Sequence, residues 1–220
     1  MPQGPQRGYS SLLTVSAAPA AKRAIAFVDG QNLFAAARDA FGITTASYGI
    51  TALSRAIAAQ HGWDVVEIRF YTGVPHRRDN PGLHFWWTAR LRRLRADGVV
   101  VTTRPLRRRR KYVRLGDGRR VELEVSEEKG IDVRIALDVV HAVLRRHCDV
   151  VLLFSQDQDF AELAREVRRI AAQQRRWIKI ASAYPVGPGT RNSRGVDGTD
   201  WIRIDQGLYD ACLDTRDSRP

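Results

Sequence analysis

Four aspartates in three separate segments of the chain have side chains suited to metal-assisted phosphate chemistry. Asp29 closes an apolar run, Asp132 follows a Lys-Gly pair, and Asp157 and Asp159 come directly after another apolar run. Carboxylates held close together raise one another's pKa, so a cation must offset their charge if all are to stay ionised. Oxygen ligands without His or Cys favour Mg²⁺ or Mn²⁺ over zinc. If these segments meet in the fold, the pattern predicts a divalent metal site that acts on a phosphate.

The elements that would bring these segments together alternate along the chain. Short β-rich runs alternate with helical segments, which is typical of an open, largely parallel sheet with helices on both faces. Strands are predicted at residues 24–29, 65–71, 99–103, 150–155, 177–183 and 201–204. Helices are predicted from about residue 32 and at 51–61, 81–96, 130–146 and 160–173. A β-ribbon with strands at about residues 112–115 and 119–125, turned by Gly116-Asp117-Gly118, interrupts this alternation within about residues 107–125, and the basic run of residues 107–111 lies at its foot.

The predicted topology places the four aspartates at one edge of the sheet. In doubly wound folds the ligand crevice lies beyond the carboxyl ends of the strands. Asp29 ends the first predicted strand, and Asp157 and Asp159 follow the fourth. Taken singly, Asp29 and Asp159 also fit turn or helix N-cap positions, where Asp is favoured. The convergence of the whole set is what favours a functional site.

Composition limits the classes of function. The chain has 220 residues and a formal net charge of +12, which indicates one basic domain with a polyanion as its expected partner. Two cysteines exclude a disulfide scaffold, and the absence of a long apolar run argues against membrane insertion. The segment Gly187-Pro188-Gly189-Thr190 lacks the lysine of a P-loop. His141 and His147 do not have the spacing of a helical zinc pair.

The chain is expected to contain one folded domain between two tails. Residues 1–21 are rich in Pro, Gly, Ser and Ala and are predicted to form a flexible N-terminal tail. Residues 22–205 form the predicted domain, and residues 206–220 a polar C-terminal tail. Because Ser and Pro interrupt the short apolar run near Leu12, we favour a cytoplasmic protein over a secreted one.

Three motifs, in order, carry a resemblance to a known family. The chain resembles NYN-domain proteins of the PIN-like nuclease superfamily over about residues 23–205. The matching motifs are Ile25-Ala26-Phe27-Val28-Asp29-Gly30-Gln31-Asn32-Leu33, Glu128-Lys129-Gly130-Ile131-Asp132-Val133 and Ser155-Gln156-Asp157-Gln158-Asp159-Phe160. The third motif departs from the family pattern, because Gln156 and Gln158 stand where Gly and Ser are usual.

This resemblance implies a PIN-like, Rossmann-like three-layer α/β sandwich and a metal-dependent ribonuclease activity. The implied acidic site consists of Asp29, Asp132, Asp157 and Asp159, with Asn32 positioning the site or the substrate. Ser155 would support the site by a hydrogen bond, and Lys129 would contact a phosphate or orient Asp132, unless it is simply a solvated lysine. Asp138 also falls where related sequences carry an acid, although the helical period turns it about 120° from Asp132.

Basic residues offer several candidate contacts for nucleic acid, although each group also fits a solvated charged face. The densest group is the run Arg107, Arg108, Arg109, Arg110 and Lys111, which could follow a phosphate backbone. The others are Arg77, Arg78 and Arg90 after the second predicted strand, and Arg191 and Arg194 in the Gly/Pro-rich loop after the fifth.

Two functions from different classes therefore remain. The first is a metal-dependent ribonuclease that uses Mg²⁺ or Mn²⁺; RNA is the expected substrate, and DNA remains open. The second is a non-catalytic nucleic-acid-binding or regulatory module that keeps the acidic pit. The four aspartates favour the nuclease, whereas Gln156 and Gln158 keep the binding module in consideration. A homodimer or an inhibitory partner is left open, and no membrane contact is expected.

Overall fold

The protein is described here by a computed structural model that covers residues 17–114, 116, 119–127 and 129–217. Its central sheet has six parallel strands in the order β3-β2-β1-β6-β7-β8. Their bounds are β1 Arg23–Asp29, β2 Asp64–Val74, β3 Val100–Pro105, β6 Val150–Phe154, β7 Lys179–Pro185 and β8 Asp200–Ile204. The mixed α/β architecture confirms the predicted PIN-like fold class, including its parallel sheet.

Helices cover both faces of this sheet. Their bounds are α1 Gly30–Phe41, α2 Ile50–Gln60, α3 Pro81–Ala96, α4 Ile131–Leu144, α5 Phe160–Gln173 and α6 Gln206–Ala211. One hydrophobic cluster joins the sheet to α1, α2, α3 and α6, and the other joins it to α4 and α5. None of the helices in the described part of the chain has the length and apolar character needed to cross a bilayer.

The apolar run of β1 follows from its position between the two helical layers. Ala24, Ala26 and Val28 face one cluster, whereas Ile25 and Phe27 face the other. A parallel strand buried on both faces needs apolar side chains at every position, not at alternate ones. The sequence could therefore place this strand within one residue of its observed start.

The order of the strands creates a crevice between β1 and β6. From β1 the sheet grows through β2 and β3 on one side, and through β6, β7 and β8 on the other. The carboxyl ends of the two strands at such a reversal are a common place for ligands, because the loops that follow them diverge to opposite faces. Asp29 ends β1, and Ser155 follows β6 at once.

A two-stranded antiparallel ribbon lies outside the main sheet. It consists of β4 Arg107–Arg114 and β5 Arg120–Glu127, and the pairing runs from Arg107 opposite Glu127 to Arg114 opposite Arg120. The sequence pattern predicts the first strand of the ribbon only from residue 112, with the basic run at its foot. The run instead lies within β4, because backbone pairing with β5 extends through it.

The end of the domain differs from the sequence-based expectation. Residues 206–211, assigned to a polar tail, form α6 instead, and Tyr209 is buried with its ring centroid 5.1 Å from that of Phe41. The Cys212 carbonyl accepts a hydrogen bond from the Gly49 N–H at 2.7 Å. The buried Tyr209 ring and this backbone contact hold the segment against the domain, while its polar residues stay exposed. Of the predicted N-terminal tail, residues 1–16 lie outside the described part of the chain.

Candidate active site

Asp29 has a structural contact, as a helix cap, and also lies at the edge of the candidate site. It is the N-cap of α1, where its Oδ1 accepts a hydrogen bond from the Asn32 N–H at 3.0 Å. The residue is only 6% exposed. Gly30 follows it where β2 approaches closely: a Cβ there would lie 2.5 Å from Phe70 Cζ and 2.9 Å from the Tyr71 carbonyl oxygen. The Asp-Gly pair therefore allows the carboxylate to sit at the start of a helix pressed against the sheet.

Asn32 connects two of the site's segments. Its side-chain Oδ1 accepts a hydrogen bond from the Gln156 N–H at 2.9 Å. The first turn of α1 is thereby tied to the loop that follows β6. This contact is compatible with the positioning role that the resemblance implies for Asn32, which stays a prediction.

The loop after β6 is ordered by hydrogen bonds between its own residues. Ser155 is buried, and its Oγ accepts a hydrogen bond from the Asp157 N–H at 3.1 Å. Asp157 Oδ1 in turn accepts one from the Asp159 N–H at 3.0 Å. These two contacts turn the chain sharply before α5 begins at Phe160 and fix the orientation of the Asp157 carboxylate.

The third segment enters the site through a left-handed turn. Gly130 has φ +84° and is the N-cap of α4, so a residue with a Cβ would be strained there. Asp132 lies in the first helical turn and is half-buried. The neighbouring Lys129 is exposed and does not line the cavity described next, so its predicted contact with phosphate or with Asp132 remains a prediction.

These three segments line one open cavity of about 310 Å³ at the carboxyl edge of the sheet. Its polar lining comes from Asp29, Gln31, Asn32, Asp132 and Asp157. Asp159, the fourth predicted acid, is exposed and does not line the cavity. Gln31 had no role in the sequence analysis, since an exposed glutamine carries no chemical signal until the fold places it beside carboxylates.

The carboxylates act on one another electrostatically. Burial raises the pKa of Asp29 to about 6, with a further upward contribution from Asp132 and Asp157, although its hydrogen bond from Asn32 opposes the shift. The pKa of Asp132 is also raised, first by burial and then by the charges of Asp157 and Asp159. Asp159 therefore contributes its charge to the site without lining the cavity. Such a group of mutually repelling carboxylates favours a cation beside it.

The carboxylates do not by themselves form a metal cage. Among the described residues, no group of three or more His, Cys, Asp or Glu side chains is arranged to hold a metal ion. The oxygen donors that line the cavity nevertheless fit Mg²⁺ or Mn²⁺, since magnesium is commonly held by one or two carboxylates together with water and substrate phosphate. The donor chemistry is compatible with the metal, and the complete four-aspartate ligand set remains a prediction.

Asp138 has a partner set of its own. It is buried, accepts a hydrogen bond from the Tyr71 hydroxyl at 2.9 Å, and pairs with Arg134 at 2.8 Å. It does not line the cavity. Its position six residues beyond Asp132 turns it toward β2, as the helical period indicated, so it anchors α4 to the sheet.

Gln156 and Gln158, the two departures from the family motif, connect the site to the loop between β7 and β8. The Gln156 side-chain amide donates to the Asn192 and Arg194 carbonyls, both at 2.8 Å. The Gln158 amide donates to the Gly195 carbonyl at 2.9 Å, and its Oε1 accepts from the Asp197 N–H at 3.2 Å. These contacts tie residues 192–197 to the loop that follows β6, so both glutamine side chains support this part of the chain.

The predicted basic contacts occupy very different environments. Arg90 is only 2% exposed, and its guanidinium donates to the Tyr48 carbonyl at 3.0 Å and lies over the Tyr48 and Trp86 rings. Its assignment to nucleic-acid binding is therefore wrong: its helix turns it into the core. Arg194 is exposed but paired with Asp197 at 3.0 Å.

The remaining basic residues keep their predicted role as a prediction. Arg77 is exposed and lies over the Phe85 ring, Arg78 is exposed, and Arg191 lines a cavity of about 70 Å³ that Gln156 also lines. Arg109 and Arg110 are exposed on β4, and Arg110 pairs with Glu122 at 3.2 Å. For Arg107, Arg108 and Lys111, only the backbone position in β4 is described.

The fold and the site together define an α/β domain with carboxylates at the reversal point of a parallel sheet. The NYN domain profile matches residues 23–182, and the chain belongs to the NYN domain family within the PIN-like nuclease superfamily. Membership assigns it to a nuclease-like, RNA-related class of protein.

Comparison with solved structures supports the fold. A protein of unknown function from Vibrio parahaemolyticus matches with a TM-score of 0.53 and 23% identity, over 87% of this chain and 98% of that one. A ribokinase from Giardia lamblia has a much weaker likeness, with a TM-score of 0.35 and 13% identity, over 74% of this chain and 51% of that one. No curated protein matches the chain.

Proposed function

We propose that this protein is a metal-dependent ribonuclease that hydrolyses phosphodiester bonds at the cavity lined by Asp29, Asp132 and Asp157. The observation that carries the proposal is the convergence of these three carboxylates, from three chain segments, at the sheet reversal of an NYN domain. The net charge of +12 supports an anionic polymer as substrate. The basic surface would attract the phosphate chain, and the carboxylates would bind a divalent metal ion that also contacts a phosphate of that chain.

The four aspartates and two of their polar neighbours each have a part in the proposed reaction. Asp29, Asp132 and Asp157 would hold Mg²⁺ or Mn²⁺, with Asp159 adding negative charge nearby. When bound, such an ion neutralises charge on the scissile phosphate and lowers the pKa of water. Asn32 and Ser155 keep two of the carboxylate-bearing segments in place through their hydrogen bonds.

Hydrolysis in this arrangement has a defined product. The oxygen of water attacks phosphorus, the bond between phosphorus and the 3′ oxygen breaks, and the leaving oxygen takes up a proton. The expected products are a 5′-phosphate and a 3′-hydroxyl, which end-labelling distinguishes from a cyclic phosphate. RNA is the proposed substrate because the family is RNA-related; DNA is the comparison.

A second candidate function is a non-catalytic nucleic-acid-binding module. It is favoured by the finding that, within the described residues, three acids are not arranged as a metal cage. In this alternative the carboxylates shape a recognition pocket, and the basic ribbon supplies the affinity. The two candidates differ in one property, which is whether the bound RNA is cut.

The test incubates the full-length protein with labelled single-stranded RNA, structured RNA and matching DNA in Mn²⁺, Mg²⁺ or EDTA. Cleavage that requires metal and disappears in Asp157→Asn supports the ribonuclease. The matched control is Asp210→Asn, which makes the same change at an exposed position on α6 and should leave cleavage intact. Salt-sensitive RNA binding without any cleavage in metal would support the binding module instead.

A further inference from the structure

A second cavity lies at the opposite edge of the sheet from the carboxylates. Its volume is about 420 Å³, and Lys22, Lys179 and Asp200 line it where β1, β7 and β8 begin. Three of the protein's five tryptophans, Trp63, Trp177 and Trp201, also line it, together with His61. Because β1 has seven residues, the two edges lie roughly 20 Å apart. We refer to it as the tryptophan cavity.

Trp201 is held in place while much of its surface faces solvent. The side chain is 44% exposed, yet its Nε1 donates to the Val196 carbonyl at 2.9 Å. Gly195 lies against the ring, and a Cβ there would be 2.6 Å from Trp201 Cδ1. An indole fixed at one edge and open at the rest is a pre-organised surface for a planar ligand, because little side-chain freedom is lost on contact.

Three other aromatic side chains, those of His61, Trp63 and Trp177, line the same cavity. Trp63 is buried, and the exposed His61 ring packs edge-to-face on it with centroids 4.8 Å apart. Trp177 is half-buried. Aromatic rings with one open surface are the platforms on which unpaired bases stack, and they accept any base because every base has a π-face.

Basic side chains lie beside these aromatic rings. Lys22 is half-buried and has no ion pair within the described part of the chain, whereas Lys179 pairs with Asp200. Trp63 also lines an adjoining cavity of about 290 Å³, and the exposed Arg55 lies on it, likewise without an ion pair among the described residues. The surface therefore offers stacking platforms with a lysine and an arginine free to meet phosphate.

We propose that the tryptophan cavity binds an unpaired nucleotide of a single-stranded nucleic acid, with the base on Trp201 and a neighbouring phosphate near Lys22. The inference rests on the proposed function only in taking RNA as the polymer concerned. At the edge opposite the carboxylates, this site holds a part of the strand remote from the bond that is cut. It favours long, unpaired substrates over short or fully paired ones.

The experiment measures binding without cleavage. Full-length protein in EDTA is titrated with a single-stranded RNA oligonucleotide, the DNA of the same sequence, and the corresponding RNA duplex. Intrinsic tryptophan fluorescence and the anisotropy of a labelled oligonucleotide are recorded together. Single strands are expected to quench the fluorescence more than the duplex does. Trp201→Ala is expected to weaken single-strand binding by about tenfold or more and to remove part of the quenching.

Matched variants separate stacking from folding and from general charge. Trp201→Phe keeps an aromatic face and should recover most of the affinity lost in Trp201→Ala, although it lacks the N–H bonded to Val196. Lys22→Ala should weaken binding more than Arg145→Ala, which removes the same charge from an exposed position outside the cavity. Circular dichroism and a thermal melt establish that each variant is folded.

Each outcome decides the inference independently of the nuclease proposal. Quenching and a Trp201 effect on binding in a protein that cuts nothing would support the site while removing the catalytic assignment. Wild-type affinity and quenching in folded Trp201→Ala would overturn the site even if RNA is cleaved. Binding of DNA as tight as that of RNA would show that the site reads unpaired bases rather than the 2′-hydroxyl. Tighter binding of the duplex would also overturn it.

Discussion

At the scale of single residues, the Asp29 carboxyl group joins structure to chemistry. It caps α1, it is buried, and it lies beside two other carboxylates. The first contact stabilises the fold, whereas burial of its charge opposes it. Its ionised form is therefore retained at a cost in stability, a feature that is common among charged groups of functional sites.

The raised pKa of Asp29 leads to a prediction for stability. Because its pKa of about 6 lies above the unfolded value of 3.8, the folded state loses stability as pH rises through 6. Asn keeps the N-cap and removes the charge. In EDTA, Asp29→Asn should raise the free energy of unfolding at pH 8 by as much as roughly 3 kcal/mol.

Urea denaturation at pH 8 and at pH 4 checks this expectation. At pH 4 the carboxyl group of the folded protein is largely neutral, so the two proteins should differ little. The same small difference at both pH values would show that the charge of Asp29 does not oppose folding. RNA cleavage in Mn²⁺ should be lost in the same variant, because a site carboxylate is gone.

Arg90 shows how the surroundings of one residue change its role. Its guanidinium is enclosed by Tyr48 and Trp86, so Arg90→Ala should lower the free energy of unfolding by about 2 kcal/mol or more. Arg92→Ala, at an exposed position on the same helix, is the control and should have little effect. Thermal melts of both variants test this assignment; equal melting temperatures would remove the structural role.

At the scale of elements, the loop between β7 and β8 is held from two sides. Gly187 and Gly189 pack on the end of α1, where a Cβ at Gly189 would lie 2.2 Å from the Asp39 carbonyl oxygen. Gln156 and Gln158 hold the following part of the loop from the other side. The loop is therefore fixed in place by contacts between segments distant in sequence.

Removal of one glutamine should loosen this loop without unfolding the domain. Gln156→Ala removes two side-chain hydrogen bonds, so hydrogen exchange of the amides in residues 192–197 should become faster. Gln174→Ala is the matched control, because its amide donates to the Leu144 carbonyl and accepts from Arg176, both in another part of the fold. Unchanged exchange in Gln156→Ala would mean that the remaining contacts, those of Gln158 and of the two glycines among them, hold the loop without Gln156.

At the scale of the whole molecule, charge is distributed unevenly. The protein carries +12 overall, yet the cavity lined by Asp29, Asp132 and Asp157 is acidic and the ribbon is basic. The net positive charge attracts a polyanion to the surface over a long range. The carboxylates form the part of this distribution where a cation would be favoured beside the polyanion. A strong dependence of RNA binding on salt follows from this distribution.

The contribution of the ribbon is testable through that salt dependence. Replacing Arg107, Arg108, Arg109 and Arg110 by Gln should weaken RNA binding and reduce the slope of log K against log salt by up to roughly three. The control replaces four exposed arginines elsewhere, Arg92, Arg145, Arg165 and Arg169, with the same loss of charge. Equal effects of the two sets would indicate attraction by net charge alone.

Local patterns in the sequence determined most of the elements and the acidic positions. A continuous apolar run predicts a doubly buried strand, and β1 was placed within one residue; the helix expected at 81–96 has those bounds in the structure. Asp29 and Asp157 could be assigned to the same edge because the carboxyl ends of parallel strands meet there. Each of these inferences depends on residues close together in the chain or on a general rule of topology.

The tertiary structure alone decided which polar residues are buried and with what. By its sequence Arg90 is a surface cation, but in the fold Tyr48, 42 residues away, encloses it. Gln156 acquires its structural role through the carbonyls of Asn192 and Arg194, 36 and 38 residues away. Trp63, Trp177 and Trp201 are far apart in the sequence and line one cavity only because the folded sheet brings their segments together. The contribution of a polar or aromatic side chain to stability or binding depends on the groups that it contacts. Those groups are set by the tertiary fold, because most of them are distant in sequence.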